Sequence, residues 1–335
     1  MIKIALDSYP FIFTKEIGPT IFLKRLSKKL ISFDCKLVTK YNYNYDVALF
    51  LIKNKSIYKK PYVLRIGGIY FDKNNTIANT EKENNAIFKS IENSTGVVFI
   101  SEFTKKLVFK FYPNFNKPNL VINNSVPLEI FKPEGTNKRS ELGINKNDFV
   151  IIVSASWRRH KRLQEVIKFF NLIKKKISNV KLLVLGENIN TRSEDKSIFF
   201  AGKIKPEMLP EWYRTGNLYL HIAWIEQNAN TQVEAIACGL PSICSNNGGN
   251  RETLEKCDAG IVSETDEYYK LDKIDYYNPP EPNYDNLIKD FLKIYNNYEY
   301  FKNKIKFKEI DLNYAAKKYF DFLNLCSAIS KKNEI

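Results

Sequence analysis

The fold of this chain is decided by the stretch Trp224-Ile225-Glu226-Gln227-Asn228-Ala229-Asn230-Thr231-Gln232-Val233-Glu234-Ala235-Ile236-Ala237-Cys238-Gly239-Leu240-Pro241. A short apolar run at 218–222 precedes it and predicts a strand. Residues 231–238 have the apolar spacing of a helix, and Gly239-Leu240-Pro241 contains residues at which helices commonly end. Another apolar run at 242–244 predicts the next strand. This succession of strand, loop, helix and strand is the unit from which parallel α/β sheets are built.

The same alternation extends in both directions along the chain. Further strands are predicted at 150–154, 180–185 and 197–201, and earlier at 2–6, 47–52, 62–66 and 97–100, with helices at 20–30, 78–91, 162–176, 206–213 and from about 250. Residues 120–143 lose periodicity and collect Asn, Pro and Gly, which predicts a linker. We therefore predict two doubly wound α/β domains, 1–140 and 141–312, with a ligand in the cleft between them. A C-terminal helix at 313–335 is placed to pack back on the first domain.

Composition excludes several protein classes. The chain has 335 residues, of which 44% are hydrophobic and 27% charged, as in globular proteins. Its apolar runs are too short to span a bilayer or to form a signal peptide, so we expect a cytoplasmic protein, peripheral at the inner membrane face as an option. The five scattered cysteines contain no C-x-x-C pair and indicate reduced thiols. The two histidines, His160 and His221, exclude His-rich metal sites, and neither has an evident partner for a Ser-His-Asp triad.

The net charge of +15 is unevenly distributed. Residues 1–145 contain 23 basic and 12 acidic side chains, whereas residues 146–335 contain 29 and 25. Such asymmetry indicates an anionic partner of the first domain, either a membrane surface, an acidic glycan or a nucleic acid. The codon usage of an AT-rich genome, which favours Lys, Asn, Ile and Tyr, is the alternative explanation.

Two glutamates in the opening stretch are the strongest candidates for chemistry. Glu226 lies in the predicted loop and Glu234 about one turn into the helix. Asn228 or Asn230 is predicted to cap the helix, whose first N–H groups and positive dipole end suit a phosphate. A carboxylate beside them can accept hydrogen bonds from the vicinal hydroxyls of a sugar. Two glutamates at this spacing are also compatible with a solvated helix face.

This segment resembles the E-x7-E signature of retaining glycosyltransferases of the GT-B fold, particularly glycosyltransferase family 4. The run Glu234-Ala235-Ile236-Ala237-Cys238-Gly239-Leu240-Pro241 is similar to the EAmAcGlPv run of that family, and Gly248-Gly249-Asn250-Arg251-Glu252 to its GG-x-x-E turn. His160-Lys161-Arg162-Leu163 resembles the KG/KR turn after the first strand of the donor domain, and Phe199-Phe200-Ala201-Gly202-Lys203-Ile204 resembles its v-f-l-G-x-v run. The first half contains only weaker landmarks.

The resemblance implies an α/β GT-B architecture of two Rossmann-like domains facing a central cleft, and it implies roles for individual residues. Glu234 would hold the ribose hydroxyls of a nucleotide-sugar, and Glu226 would contact the transferred sugar. Lys161, with Arg158 or Arg162, would neutralise the diphosphate, so the implied catalytic residues are Glu226, Lys161 and Arg158. Backbone groups would complete the donor site, from Asn228, Ala229, Asn230 and Thr231 for the sugar or phosphate and from Gly202, Lys203 and Ile204 for the base.

The first domain would bind the acceptor. Gly18 stands at a helix start where the family has a loop approaching the donor phosphates. Many relatives have a histidine in this domain facing the reaction centre, and because this chain has none there, Arg65 and Asp72 are the polar candidates in its place. A further departure is Ala155, which stands where the family usually has an arginine six residues before the lysine.

The implied activity is the transfer of a hexose from a nucleotide-diphosphate sugar to an acceptor hydroxyl with retention of configuration. The donor is a co-substrate, and no separate cofactor is expected. The sequence contains no Asp-x-Asp, no G-x-G-x-x-G and no P-loop pattern, which favours metal-independent transfer. The acceptor is left open between a glycan, a lipid-linked saccharide and nucleic acid. Two alternatives also remain, a nucleotide-sugar epimerase of the same fold and a degenerate transferase acting as a basic binding module.

Overall fold

A computed structural model describes residues 1–11, 18–42, 44–53, 61–71, 79–187, 191, 193–267 and 274–332. The chain divides into unit 1, Met1–Pro127 with Ile310–Ile335, and unit 2, Leu128–Glu309. The division therefore precedes the predicted boundary at residue 140. Residues 128–140 belong to unit 2, where Arg139 donates hydrogen bonds to the carbonyl of Thr215 and the side chain of Asn217.

Unit 1 contains a six-stranded parallel sheet in the order β2-β1-β3-β4-β5-β6. Its elements are β1 (Ile2–Leu6), α1 (Gly18–Leu30), β2 (Cys35–Val38), β3 (Val47–Leu51), β4 (Tyr62–Ile66), α2 (Thr80–Glu92), β5 (Gly96–Phe99), α3 (Glu102–Phe111) and β6 (Asn119–Val121). The four central strands are apolar runs buried on both faces, as is usual in parallel sheets, and the sequence predicts all four. The edge strands β2 and β6 are mostly half-buried and lack such runs, so they were not predicted, and β6 lies in the predicted linker.

The C-terminal helix α10 (Leu312–Lys332) packs on the sheet of unit 1. Its buried residues share one core with β1, β3 and α1. The contact with β5 is so close that a Cβ atom at Gly96 would lie 2.6 Å from Cys326 Sγ and 2.9 Å from the ring of Phe322. A glycine at this strand position therefore lets the helix approach the backbone.

Unit 2 contains a second six-stranded parallel sheet, in the order β12-β11-β10-β7-β8-β9. Its elements are β7 (Phe149–Ser154), α4 (Leu163–Lys174), β8 (Val180–Leu185), β9 (Ile198–Gly202), α5 (Leu209–Tyr213), β10 (Leu218–His221), α6 (Asn230–Ala237), β11 (Ser242–Ser245), α7 (Asn250–Lys256), β12 (Gly260–Ser263), α8 (Tyr284–Asn296) and α9 (Tyr298–Asn303). The chain runs outward from β7 to β9 and then returns to β10 on the other side of β7. The point of reversal lies between β7 and β10.

All five cysteines are buried thiols without a disulfide. Burial raises the pKa of Cys238, Cys244, Cys257 and Cys326 to about 12. In the part of the chain that the structure describes, no helix has both the length and the apolar character needed to cross a membrane.

Candidate active site

The candidate site lies at the carboxyl ends of β7 and β10. The loop after β7 contains a short 3-10 turn, Arg159–Lys161, and the loop after β10 contains Glu226. The backbone N–H of Trp224 donates to the carbonyl of His160 at 2.9 Å and ties the two loops together. Open parallel sheets bind ligands outside the carboxyl ends of their strands, where the strand order reverses. The site occupies that position in unit 2.

Lys161 and Glu226 form an ion pair between these two loops. Both side chains are largely buried, with 16% of Lys161 and 21% of Glu226 exposed. Burial, with the neighbouring positive charge of Arg158, lowers the pKa of Lys161 to about 7. The two residues that sequence analysis singled out 65 positions apart are thus in contact.

His221, the last residue of β10, was missed as a site residue. Its side chain is 6% exposed, and Nε2 lies 3.9 Å from Glu226 Oε2. Burial, followed by the charge of Lys161 and by His160, lowers the pKa of His221 to about 3, so the imidazole is neutral near pH 7. The only sequence signal was its position, a polar residue ending an apolar run just before the Glu226 loop.

The Gly248-Gly249 turn holds the backbone of Glu226. The N–H of Gly249 donates to the Glu226 carbonyl at 2.8 Å. Gly248 has φ +93°, and a Cβ atom there would lie 2.3 Å from the Glu226 carbonyl oxygen and 2.9 Å from its nitrogen. Both the left-handed conformation and the close approach require glycine. This gives the GG-x-x-E resemblance a physical role, namely the placement of Glu226.

The start of α6 differs from the sequence prediction. The N-cap is Ala229 and not Asn228 or Asn230, and no side chain caps the helix. The Asn228 amide instead donates to Thr253 Oγ1 at 2.8 Å, and the Ala229 N–H donates to Asn250 Oδ1 at 2.7 Å. The predicted role of the Ala229 N–H in holding a ligand is therefore corrected, because α7 already occupies it. Asn230 is the first helical residue.

Glu234 and Thr231 lie on α6. Glu234 is 4% exposed, and Tyr213 Oη donates to its Oε2 at 3.3 Å. Thr231 Oγ1 lies 2.8 Å from Tyr219 Oη, on the neighbouring strand β10. Glu234 is therefore not on a solvated helix face, and its carboxylate points toward α5 and the interior of unit 2.

The three arginines near Lys161 have different environments. Arg162, in the left-handed conformation with φ +61°, is fully buried and donates to both carboxylate oxygens of Asp266, at 2.5 and 3.0 Å. The Arg162 guanidinium is bonded within this buried pair. It therefore fits neither the predicted contact with the nucleotide-sugar nor the alternative of a solvated turn. Arg159 pairs with Glu165 at 2.5 Å. Arg158 is exposed and lies close enough to Lys161 to lower its pKa, and its contact with a diphosphate stays a prediction.

Gly202, Lys203 and Ile204 lie at the end of β9, on the same edge of the sheet. Gly202 has φ +70°, and its carbonyl accepts a hydrogen bond from the Gly186 N–H at 2.7 Å. Lys203 is exposed and pairs with Glu187 at 3.0 Å, while Ile204 is half-buried. These positions are compatible with contacts from the backbone to a base, and the sequence prediction for them stays a prediction.

The predicted site residues of unit 1 are Gly18, Arg65 and Asp72. Gly18 is the first residue of α1. Arg65 is 3% exposed, donates to Tyr319 Oη at 3.0 Å and Asn124 Oδ1 at 2.6 Å, and lies over the ring of Phe22. Its proposed contact with an acceptor is therefore corrected, since Arg65 joins β4 to α10 inside the unit. Asp72 lies outside the described residues.

Among the described residues, no group of three or more His, Cys, Asp and Glu side chains could hold a metal ion. Lys161 and Arg158 are the basic side chains beside Glu226 and the Lys161 turn. The site therefore combines a buried lysine, a carboxylate and a neutral imidazole at the reversal point of a parallel sheet.

Comparisons with known proteins show which family model and which folds the chain is similar to. Residues 134–273 match the family described as glycosyl transferases group 1. The N-acetyl-alpha-D-glucosaminyl L-malate synthase of Bacillus anthracis is 28% identical over 144 residues, which are 40% of this chain and 37% of that protein. The chain thus spans little more than a third of the length of this curated relative.

Solved structures resemble the whole chain. The sucrose-phosphate synthase of Thermosynechococcus elongatus has a TM-score of 0.69 at 13% identity, covering 100% of this chain and 98% of its own. HepE of Anabaena, solved in complex with UDP-glucose, has a TM-score of 0.61 at 13% identity, covering 100% of both chains. The chain therefore has the two-domain α/β fold of GT-B glycosyltransferases, and its residues 134–273, which contain Lys161, Glu226 and Glu234, match a glycosyl transferases group 1 domain.

Proposed function

We propose that this chain is a glycosyltransferase that moves a hexose from a nucleotide-diphosphate sugar to an acceptor hydroxyl with retention of configuration and without a metal ion. The observation that carries the proposal is the contact of Lys161 with Glu226 at the reversal point of the unit 2 sheet. The complex of HepE with UDP-glucose supports a donor of this chemical class.

The proposed reaction breaks the bond between the anomeric carbon and the diphosphate oxygen. Negative charge then develops on the leaving phosphate, and Lys161 and Arg158 would stabilise it. The acceptor oxygen forms the new bond on the same face of the sugar, and its proton passes to the leaving phosphate. Glu226 is paired with Lys161, which weakens it as a nucleophile and favours this front-face route over a covalent intermediate on Glu226.

The charge state of Lys161 explains how the site can work without a metal ion. Burial lowers its pKa to about 7, but a diphosphate beside it would favour the charged form. The lysine would therefore be most positive when the donor is bound. Arg158 adds a guanidinium, whose N–H groups can donate to phosphate oxygens.

The excess positive charge of the first 145 residues supports an anionic acceptor or acceptor surface. The matched relative from Bacillus anthracis, whose name joins a sugar to L-malate, is consistent with an anionic acceptor. We therefore propose that the acceptor hydroxyl belongs to an anionic molecule, and that its use weakens as salt is added.

The test is a panel of nucleotide-sugars, beginning with UDP-glucose, assayed for sugar transfer and for release of the nucleoside diphosphate. Glu226→Gln and Lys161→Met should each lower turnover by about 100- to 1000-fold, since each removes a charge at the reacting centre. Matched controls are Lys174→Met and Asp195→Asn, which break a partly buried ion pair elsewhere in unit 2. Turnover in both site variants equal to that of the controls would contradict the proposal.

The same panel separates the alternatives. Isomerisation of a nucleotide-sugar without acceptor would indicate the epimerase, because the nucleotide would then leave and return. A panel without any thermal shift or turnover would favour the binding module. Transfer that requires an acceptor, with sugar configuration retained by NMR, is the result that we expect.

A further inference from the structure

The buried imidazole of His221 has an unused polar atom that faces the site. In the described part of the chain, Nε2 has no hydrogen-bond partner, although the side chain is 6% exposed. Glu226 Oε2, the carboxylate oxygen that Lys161 also contacts, lies 3.9 Å from Nε2. A buried polar group without a partner costs free energy, so this position calls for an explanation.

The neighbours of the ring decide which nitrogen carries the proton. Nδ1 lies 3.4 Å from Tyr219 Oη, and the two rings stack at 20°. The single proton of the Tyr219 hydroxyl is directed to Thr231 Oγ1 at 2.8 Å and the Ser154 carbonyl at 3.2 Å, so the tautomer depends on the Nε2 side. A neutral imidazole has one N–H donor and one acceptor nitrogen. An ionised carboxylate only accepts, so a proton on Nε2 is the arrangement that complements Glu226. Nδ1 is then the nitrogen without a proton.

Glu226 Oε2 therefore has two candidate partners, the Lys161 ammonium group and the Nε2–H of His221. In this structure Lys161 holds it, and the separation of 3.9 Å from Nε2 exceeds the roughly 3 Å of a direct hydrogen bond. A rotation of the carboxylate that brings Oε2 about 1 Å closer to Nε2 would complete that bond. The Gly248-Gly249 turn holds the Glu226 carbonyl, so the rotation proposed is one of the side chain.

We propose that His221 is a positioning residue that holds the Glu226 carboxylate through Nε2–H when Lys161 turns to the donor diphosphate. The Lys161 half of this proposal rests on the proposed function, whereas the Nε2–H contact does not. Without His221, a carboxylate released by Lys161 would rotate freely at the moment when the sugar must be oriented. With it, the carboxylate passes from one partner to the other and keeps its direction.

The contact also connects Glu226 to the first turn of α6. Tyr219 Oη lies 2.8 Å from Thr231 Oγ1 and 3.2 Å from the Ser154 carbonyl, besides its contact with His221. The charged and titratable groups that act on His221 are Lys161, His160 and Glu226. Tyr219 is itself neutral, because burial raises its pKa.

NMR of the full chain tests the contact without any substrate. The chain has two histidines, so selective 15N-histidine labelling yields two rings, and His160→Gln assigns them. We expect His221 to carry its proton on Nε2 at pH 7.5. A proton on Nδ1 would overturn the proposal.

Removal of the competing cation tests the exchange of partners. In Lys161→Met, and equally in Lys161→Ala, the Nε2-bound proton should move downfield as it bonds to the released Glu226. Addition of Glu226→Gln should reverse that shift, and Lys174→Met should leave the resonance where it is in the wild type. An Nε2–H resonance that is the same in the wild type and in both folded Lys161 variants would contradict the proposal.

Kinetics separate positioning from a structural role. His221→Leu should lower kcat by about 10- to 100-fold with little change in the donor KM, as expected for a lost hydrogen bond to a charged group. His221→Gln, whose amide N–H reaches the place of Nε2–H, should recover part of the loss. Cys244→Ala, at the register partner of His221 on β11, is the control for a buried change and should keep kcat.

A Gln variant as slow as the Leu variant would contradict the positioning role. Absence of turnover in the wild type would instead contradict the proposed function, and the proposal on His221 would still be decided by its NMR resonances.

Discussion

Each sheet has an ion pair at the point where its strand order reverses, but the two pairs are built differently. In unit 1, between β1 and β3, Asp7 pairs with Lys40 at 2.9 Å, and its other carboxylate oxygen accepts the Leu51 N–H at 3.4 Å. In unit 2, between β7 and β10, Glu226 pairs with Lys161. The side chains are similarly buried, since about a fifth of each carboxylate is exposed.

The difference lies in what fixes the carboxylate. Asp7 uses its carboxylate to bond the backbone of the next strand, so its oxygens stabilise the fold. Glu226 is fixed through its own carbonyl by Gly249, and its carboxylate is left to side chains, Lys161 and His221. One fold position therefore serves structure in unit 1, and in unit 2 it holds the carboxylate for which we propose a function. The backbone of both residues is hydrogen-bonded, so the two positions differ in the partners of the carboxylate, which include a backbone N–H only for Asp7 among the contacts described.

The largest expected effect comes from the buried pair that supports the Lys161 turn. Asp266→Asn would leave the fully buried Arg162 guanidinium without its counter-charge, and we expect a loss of about 3–5 kcal/mol in the free energy of unfolding. Asp7→Asn is the matching change in unit 1, and its partly exposed pair should cost about 1 kcal/mol or less. Urea unfolding of both variants measures the two losses.

Measurement of turnover distinguishes Asp266→Asn from Asp7→Asn in a second way. Arg162 adopts the left-handed conformation directly after Lys161, so release of its side chain should displace the lysine. Asp266→Asn should therefore also lower turnover in conditions where the variant is folded, whereas the expected change for Asp7→Asn is one of stability. Equal losses of stability in the two variants would contradict the view that the site turn depends on a buried pair.

The next largest effect is expected at Gly248. Gly248→Ala forces an L side chain into φ +93° and places its Cβ against the Glu226 carbonyl, so we expect a loss of about 2–3 kcal/mol in stability and a larger fractional loss in turnover. Gly143→Ala is the control, because Gly143 also has a positive φ, +62°, but a Cβ there meets nothing within 4 Å. If both variants lose equal stability and keep turnover, the turn does not position Glu226.

The sequence predicted the fold where burial is continuous. Strands β1, β4 and β8 coincide with the predominantly apolar runs at 2–6, 62–66 and 180–185, because strands buried on both faces are apolar at most positions. The edge strands β2 and β6 were missed, since one side of an edge strand remains half-exposed and its sequence is mixed. Helix α3 was missed as well, although Ser101 accepts a hydrogen bond from the Thr104 N–H as its N-cap.

The site was predictable only as far as local motifs reach. Glu226, Glu234 and Lys161 lie in segments whose local pattern is distinctive, and they were identified from the sequence. The burial of Arg162 depends on Asp266, 104 residues further along, and that of Arg65 depends on Tyr319, 254 residues away. Such distant partners leave no local signal. A basic residue in a turn and a buried cation look the same until both partners are placed.

The smallest expected effect is the acid sensitivity of unit 2, which contains both histidines of the chain. Burial lowers the pKa of His160 and His221 to about 3, whereas an unfolded histidine has a pKa of about 6.5. Between these values the unfolded state binds more protons than the folded state. The free energy of unfolding is therefore highest above pH 6.5 and decreases as the pH falls toward 3. From pH 7 to 5.5 we expect a loss of about 1 kcal/mol for each histidine.

Hydrogen exchange followed by mass spectrometry can assign that loss to a unit. After correction for the intrinsic pH dependence of exchange, peptides from β7 and β10 should lose protection at pH 5.5 relative to pH 7, whereas peptides from β1 and β3 should change less. His160→Gln/His221→Gln should remove most of the difference, because the glutamine side chain does not titrate. A decrease of equal size in both units, or one that persists in the double variant, would show that other groups cause the acid sensitivity and that the buried neutral imidazoles do not distinguish unit 2.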